Sequence, residues 1–138
     1  LYSEHGNNFV KTIIKLAGER DEIKVVDDQK GSPTWAADLA SAILSIIKMT
    51  LRDEDSYIPG IYHYSNLGHC SWYEFANKIK SIRNLDLKIR PVSSSKYPVK
   101  AKRPVYSVMS VEKIIKNYNI TIPSWQESLE HCLNRLSH

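Results

Sequence analysis

The sequence predicts an α/β fold with a few short strands and about five helices. Apolar residues recur at helical spacing in five segments, and shorter runs rich in β-branched and aromatic residues lie between them. Polar and turn-forming residues separate the two kinds of segment. Because so few strands do not complete a doubly wound sheet, we expect the sheet to continue outside this chain.

The first helix is predicted to follow Asn7 or Asn8. Either side chain can accept a free backbone N–H and cap a helix that begins near Phe9 and ends at Gly18. The run Ile23–Val26 then predicts a short strand, because it is rich in β-branched residues.

The second helix has the clearest pattern in the chain. Thr34 is predicted to cap it, and its broad apolar stripe ends near Met49. Gly60–Ser65 predicts a second strand, and Ser71 is predicted to cap a third helix. Lys88–Val92 predicts an edge strand, since its proline cannot donate to a ladder.

The last third of the chain predicts one more strand and two helices. Ser107–Met109 is the short strand, and Ser110 is predicted to cap the helix after it. The closing helix follows Ser124, and its apolar side includes Trp125 and Leu129.

The composition suits a single domain over residues 1–138, with 42% hydrophobic and 25% charged residues. No run approaches the ~20 apolar residues that span a bilayer, and the segment that begins at Leu1 does not have the pattern of a signal peptide. We therefore expect a cytoplasmic protein with no membrane partner. Cys70 and Cys132 lack metal-ligand spacing and are predicted to be reduced thiols. No initiator methionine is present, so we expect part of a longer protein.

The net charge of +4 is mild, but basic residues are concentrated late in the chain. They form a basic stripe of Lys88, Arg90, Lys96, Lys100, Lys102 and Arg103. Nucleic-acid-binding domains carry such stripes, yet this one lacks aromatic stacking repeats, a zinc signature and a recognition helix. An anion such as a diphosphate satisfies the same charges with fewer assumptions, so no nucleic-acid partner is predicted.

The sequence lacks the usual marks of cofactor binding and catalysis. Its five glycines never cluster, so the phosphate-cradling turn of a dinucleotide site is missing. It also has no Tyr-x-x-x-Lys pair and no nucleophile elbow. No catalytic, cofactor-binding or metal-ligating residue is predicted, and the chain alone is not expected to be an enzyme.

Five blocks of the sequence, taken in order, resemble the C-terminal half of dTDP-4-dehydrorhamnose reductases, which are extended short-chain dehydrogenase/reductases. The blocks are LYSEHGNNFVKTIIKLA, VVDDQKGSPTWAADLA, GIYHYSNLGHCSWYEFA, KRPVYSVMS and IPSWQESLEHCL. The resemblance covers essentially the whole chain. It implies the C-terminal part of a Rossmann-like fold.

The resemblance also implies a function. In that family an N-terminal Rossmann domain, absent here, carries the Gly-rich turn, NAD(P)H and the catalytic Tyr-x-x-x-Lys pair. The full-length protein would then reduce dTDP-4-dehydro-L-rhamnose to dTDP-L-rhamnose, and this half would bind and orient the dTDP-sugar without a cofactor of its own. The resemblance allows a homodimer of the full-length protein.

The resemblance further implies which residues bind the substrate. Gln29 and Thr34 would follow a parallel strand at its carboxyl end, where ligands bind in open α/β sheets. Arg103 would form a bidentate pair with the diphosphate. Asn7 and Asn8 precede a helix and would either contact the substrate or only cap that helix.

Two alternative functions stay open at this point. One is a non-catalytic regulatory relative similar to the β subunit of methionine adenosyltransferase, which shares the same blocks; a Tyr-x-x-x-Lys pair upstream would argue against it. The other is an independent anion- or nucleic-acid-binding module that uses the basic stripe, which a steep salt dependence of DNA binding would support.

Overall fold

A computed structural model describes residues 1–96 and 103–136. Its helices are α1 (Phe9–Ala17), α2 (Ala36–Arg52), α3 (Trp72–Arg83), α4 (Glu112–Tyr118) and α5 (Trp125–Arg135), with single 3₁₀ turns at Glu54–Ser56 and Ser94–Lys96. Its strands are β1 (Glu22–Val26), β2 (Lys30–Gly31), β3 (Cys70–Ser71) and β4 (Lys88–Val92). The predicted α/β class is therefore confirmed.

The strands form two small sheets. β1 and β4 pair in parallel, with Val25 opposite Pro91, while β2 and β3 pair antiparallel. A parallel pair needs a long crossover connection, and here α2 and α3 lie within it. The two predicted strands at Ile23–Val26 and Lys88–Val92 are confirmed.

The main core lies where α1 and α5 pack on α3 and where α3 covers the β1–β4 sheet. From α3 it takes Phe75, Ala76 and Ile79, all essentially inaccessible to solvent. Leu129 and Leu133 of α5 meet them from the other side. The apolar faces that the sequence assigns to these helices are thus buried together, which is the main stabilising contribution in such a domain.

Side-chain caps begin three of the helices as predicted. Asn8, not Asn7, caps α1 by accepting from the backbone N–H of Lys11. Ser71 and Ser124 begin α3 and α5 with complete capping boxes, in which the glutamate three residues later accepts from the serine backbone N–H.

The prediction that Thr34 caps α2 is wrong. The N-cap residue is Trp35, and its backbone N–H donates to the side chain of Asn66, 2.8 Å away. A tertiary acceptor thus replaces the local one, and the Thr34 hydroxyl turns to donate to the carbonyl of Ser32. The helix also continues past Met49 to Arg52.

Two predicted strands do not form within the described residues. Gly60–Ser65 has no ladder; the carbonyl of Ile61 accepts instead from Lys113 Nζ at 2.9 Å. Ser107–Met109 is not a strand either; the chain beside it makes one isolated bridge, between Tyr106 and Lys30. In both segments the strand-like composition is present and a pairing strand is not.

The helix α2 exposes an apolar stripe to solvent. Ile43, Leu44, Ile47 and Leu51 share one side of this helix, with Ile47 47% and Leu51 81% exposed. The side facing the domain buries Ala42 against a second, smaller core with α4. No described helix is long and apolar enough to cross a membrane.

Candidate functional site

A cavity of about 530 Å³ opens at the carboxyl end of β1, between the N-termini of α2 and α3. We call it the first cavity. Its walls include Gln29, Ser32, Thr34, Tyr64, Trp72 and Arg103. Ligands of open α/β folds bind at this end of the strands, so the position of the cavity agrees with the sequence prediction.

A second cavity, of about 790 Å³, lies against α1 and along β1. Thr12, Ile13 and Leu16 of α1 form part of its wall. The two cavities share four lining residues, namely Phe9, Gln29, Trp72 and Arg103. These four residues, which we call the junction, lie where the two cavities adjoin.

The junction combines two aromatic rings with a cation. The ring centroids of Phe9 and Trp72 lie 4.9 Å apart and are tilted by 54°, while Phe9 stacks on the buried Phe75 at 5.7 Å with an interplanar angle of 15°. Trp72 stays 37% exposed. A planar ligand ring can therefore rest on this surface.

Arg103 is the cation of the junction and has no ion-pair partner among the described residues. Its side chain is exposed, and within residues 1–96 and 103–136 no carboxylate lies within ion-pairing distance of it. A guanidinium without a protein partner keeps its donors available for an anion. Its position beside Gln29 brings two of the predicted substrate-binding residues together.

The other described residues of the basic stripe do not extend the positive charge of Arg103. Lys88 and Arg90 lie on β4 and both pair with Glu22, at 3.5 and 2.7 Å. The hydrogen bond from Arg90 lowers the pKa of that carboxyl. Lys100 and Lys102 lie outside the described residues. The described part of the stripe is therefore partly neutralised, which does not favour the nucleic-acid alternative.

The loop after β1 is held by its two aspartates. Asp28 accepts from the hydroxyl of Ser93 at 2.8 Å and from the backbone N–H of Ser94 at 2.9 Å, and these bonds lower its pKa. Asp27 accepts from the hydroxyl of Ser71 at 2.5 Å. Both carboxylates thus fix the loop that carries Gln29 to the junction.

The structure separates the predicted residues into two groups. Gln29, Thr34 and Arg103 line the first cavity. Neither Asn7 nor Asn8 lines either cavity. Asn8 is occupied at the start of α1, where its amide also donates to the carbonyl of Ser3 at 2.8 Å.

Two further lining residues went unassigned as site residues in the sequence. Burial raises the pKa of Tyr64 to about 12, with the charge of Asp38 adding to the effect. Burial likewise raises the pKa of the Cys70 thiol to about 12. Both groups stay protonated near neutral pH, so they suit binding better than proton abstraction. Only the alternation of Tyr62 and Tyr64 could have indicated a tyrosine on this wall.

No described group of three or more His, Cys, Asp or Glu side chains could hold a metal ion. The chemistry offered by the described walls is therefore aromatic stacking, hydrogen bonding and positive charge, with Arg103 shared by both cavities and Arg20, Lys24 and Lys30 in one or the other. An α/β domain with such a cleft is a small-molecule-binding domain.

The chain belongs to the RmlD substrate binding domain family, whose sequence model matches residues 1–138. The resemblance drawn from the five sequence blocks is thereby confirmed. Among curated relatives, the spore coat polysaccharide biosynthesis protein SpsK of Bacillus subtilis (strain 168) is 42% identical over 99% of this chain and 45% of its own length. The dTDP-4-dehydrorhamnose reductase of Escherichia coli (strain K12) is 34% identical over 99% of this chain and 47% of its own.

Solved structures show the same relationship. The dTDP-4-dehydrorhamnose reductase of Bacillus anthracis str. Ames, in complex with NADP, superposes with a TM-score of 0.87 at 43% identity, covering 99% of this chain and 45% of that one. A UDP-glucose 4-epimerase shares the fold alone, with a TM-score of 0.71 at 16% identity over 94% of this chain and 40% of that one. This chain spans about half the length of the curated relatives it matches.

Proposed function

We propose that this chain is the substrate-binding half of a dTDP-4-dehydrorhamnose reductase, which reduces dTDP-4-dehydro-L-rhamnose to dTDP-L-rhamnose with NAD(P)H. The observation that carries the proposal is the junction, where Arg103 has no described ion-pair partner and lies beside the aromatic surface of Phe9 and Trp72. A diphosphate needs such a cation, and a pyrimidine ring needs such a surface.

The two cavities suit the two ends of a sugar nucleotide. The junction takes the diphosphate at Arg103, which leaves the first cavity for the sugar along Ser32 and Thr34. Ser32 Oγ, whose proton is donated to the carbonyl of Gly68, can still accept from a sugar hydroxyl. By fixing the substrate at both ends, this half orients the keto group for a reaction carried out elsewhere in the protein.

The residues of this chain do not fit a nicotinamide dinucleotide. The turn that cradles its diphosphate needs clustered glycines at the start of a helix, and the glycines at positions 6, 18, 31, 60 and 68 are far apart. The cofactor is therefore assigned to the half that the longer relatives have in addition. That bound cofactor supplies the hydride, and this chain supplies substrate binding.

Steady-state kinetics of the full-length reductase test the assignment. Replacing Arg103 by alanine removes a charge-assisted contact worth ~1.5–3 kcal/mol, so KM for the keto-sugar nucleotide should rise roughly tenfold to a hundredfold. Arg52→Ala is the matched control, since Arg52 is exposed at the far end of α2. An unchanged KM in Arg103→Ala would remove this residue from the site.

The 138-residue chain provides a second test. Mixed with NADPH and dTDP-4-dehydro-L-rhamnose, it should show no oxidation of NADPH, because the cofactor turn and proton donor are not among its residues. Turnover by the pure chain would refute the division of roles between the two halves.

A further inference from the structure

Asn66 lies behind the wall of the first cavity, with 1% of its surface exposed. It connects that wall to α2 and α5, although it is not itself a lining residue. Its place between the predicted strand Gly60–Ser65 and the predicted helix cap Ser71 does not indicate such a role. Its contacts divide into a set toward the wall and a set away from it.

Toward the wall, Asn66 holds two consecutive residues. Its side-chain Oδ1 accepts from the backbone N–H of Trp35 at 2.8 Å, and its own N–H donates to Thr34 Oγ1 at 3.3 Å. The Thr34 hydroxyl in turn donates to the carbonyl of Ser32 at 3.1 Å, which extends the network to that residue. The hydroxyl of Ser32 donates in turn to the carbonyl of Gly68 at 2.7 Å, so the segment 66–68 holds both ends of the wall.

Away from the wall, the amide nitrogen of Asn66 is fixed by two helices. Nδ2 donates to Asp38 Oδ2 of α2 at 2.7 Å and to Ser128 Oγ of α5 at 2.9 Å. The Ser128 hydroxyl donates to the same Asp38 oxygen. A carboxylate only accepts and a backbone N–H only donates, so the amide can take one orientation alone.

We propose that Asn66 is a positioning residue for the ligand of the first cavity: it sets the place of the Ser32–Trp35 wall through its bonds to Trp35, Thr34 and Asp38 of α2. This inference rests on the proposed function, since the ligand is taken to be a dTDP-sugar. Without the carboxamide, the N–H of Trp35 and the carboxylate of Asp38 both lose a partner in a half-buried place. Leaving these two groups without hydrogen-bond partners costs free energy, so the wall moves until both groups find new partners.

Three variants separate positioning from a general loss of stability. Asn66→Ala removes both sets of contacts. Ser128→Ala is the matched control, because it breaks the same network on the α5 side and leaves the bond to Trp35 in place. The double variant Asn66→Asp with Asp38→Asn exchanges amide and carboxylate, so that the bond between the two side chains is kept with its direction reversed.

Two measurements are made on each variant under conditions in which it is folded: calorimetric affinity for dTDP-L-rhamnose, and NMR amide exchange at Trp35. We expect Asn66→Ala to bind roughly three- to tenfold more weakly and to exchange the Trp35 amide about tenfold faster. Ser128→Ala should stay within about twofold of the wild type in both readouts, even though it unfolds more easily. The double variant should recover most of the loss in both readouts, short of the 3.3 Å bond from Asn66 to the carbonyl of Pro123, which a carboxylate cannot donate.

Wild-type affinity in folded Asn66→Ala would overturn the inference and leave the proposed function standing. An equal loss in Ser128→Ala would also overturn it, since stability alone would then explain the effect. If the wild type itself fails to bind dTDP-L-rhamnose, the proposed function falls. In that case unchanged Trp35 exchange in Asn66→Ala, or failure of the double variant to restore it, would overturn the ordering of the wall.

Discussion

The Asp27 carboxylate accepts a 2.5 Å hydrogen bond from the hydroxyl of Ser71, which joins the carboxyl end of β1 to the first residue before α3. The same hydroxyl accepts from the backbone N–H of Glu74 at 3.0 Å and caps the helix. One serine thus fixes both the strand end that carries Gln29 and the helix start that carries Trp72. The contact therefore joins the two segments that carry Gln29 and Trp72 to the junction.

Replacing Ser71 by alanine should lower the free energy of unfolding by about 2 kcal/mol, because a helix cap and the partner of Asp27 are lost together. Urea denaturation measures the change. Ser124→Ala is the control, since Ser124 also caps a helix with a full capping box but contacts no strand carboxylate. It should cost only about 1 kcal/mol. An equal loss in both variants would show that the Asp27 contact adds nothing.

The Asp28 carboxyl predicts a pH dependence of stability. The hydrogen bonds from Ser93 and Ser94 lower its pKa below the usual 3.8. A depressed carboxyl pKa gives stability that is present above the unfolded-state pKa and is lost as the pH falls through the folded-state pKa. The wild type should therefore exceed Asp28→Ala in melting temperature at pH 5–7, and the gap should narrow below about pH 4. A gap independent of pH between 7 and 3 would contradict this.

The two thiols should be unreactive in the native protein. Burial raises the pKa of Cys70 and of Cys132 to about 12, so thiolate is scarce at pH 8. Reaction with an aromatic disulfide reagent should be roughly a thousandfold slower than for a free thiol. In urea, two thiols per chain should react. Rapid native labelling of Cys70 would show that this wall of the first cavity opens.

The exposed stripe of α2 predicts a contrast between two isoleucines. Ile47 is 47% exposed on that stripe, whereas Ile79 of α3 is fully buried. Ile79→Ala should destabilise the chain by ~2–5 kcal/mol, while Ile47→Ala should change stability by about 0.5 kcal/mol or less. Thermal denaturation of both variants measures the difference. A large loss in Ile47→Ala would mean that this face is covered.

Local signals predicted much of this fold. The capped helices were recognisable because Asn8, Ser71 and Ser124 act within their own turn. The cap errors have two origins. At α4 the N-cap residue is Val111, one place after the predicted Ser110, and its side chain makes no capping bond. At α2 a distant group replaces a local one. Asn66, thirty-one positions after Trp35, supplies the acceptor that the sequence assigned to Thr34. Gly60–Ser65 has strand composition, but pairing depends on a neighbour that composition does not reveal.

The site was predicted in part for the same reason. Gln29 and Arg103 come together because the carboxyl end of β1 and the segment at residue 103 line one cavity, which family resemblance implied and residue spacing did not. The exposure of Trp72 and the raised pKa of Tyr64 depend on tertiary packing, which the sequence alone does not reveal. Asn7 and Asn8 differ from these residues, because neither lines a cavity and the local capping preference alone accounts for Asn8.

Calorimetric titration of the 138-residue chain with dTDP tests the central claim most directly. The junction predicts saturable one-to-one binding that weakens about tenfold or more in Arg103→Ala and is unchanged in Arg52→Ala. Absence of binding to the wild-type chain, or equal affinities in all three proteins, would contradict the claim that the junction holds a nucleoside diphosphate.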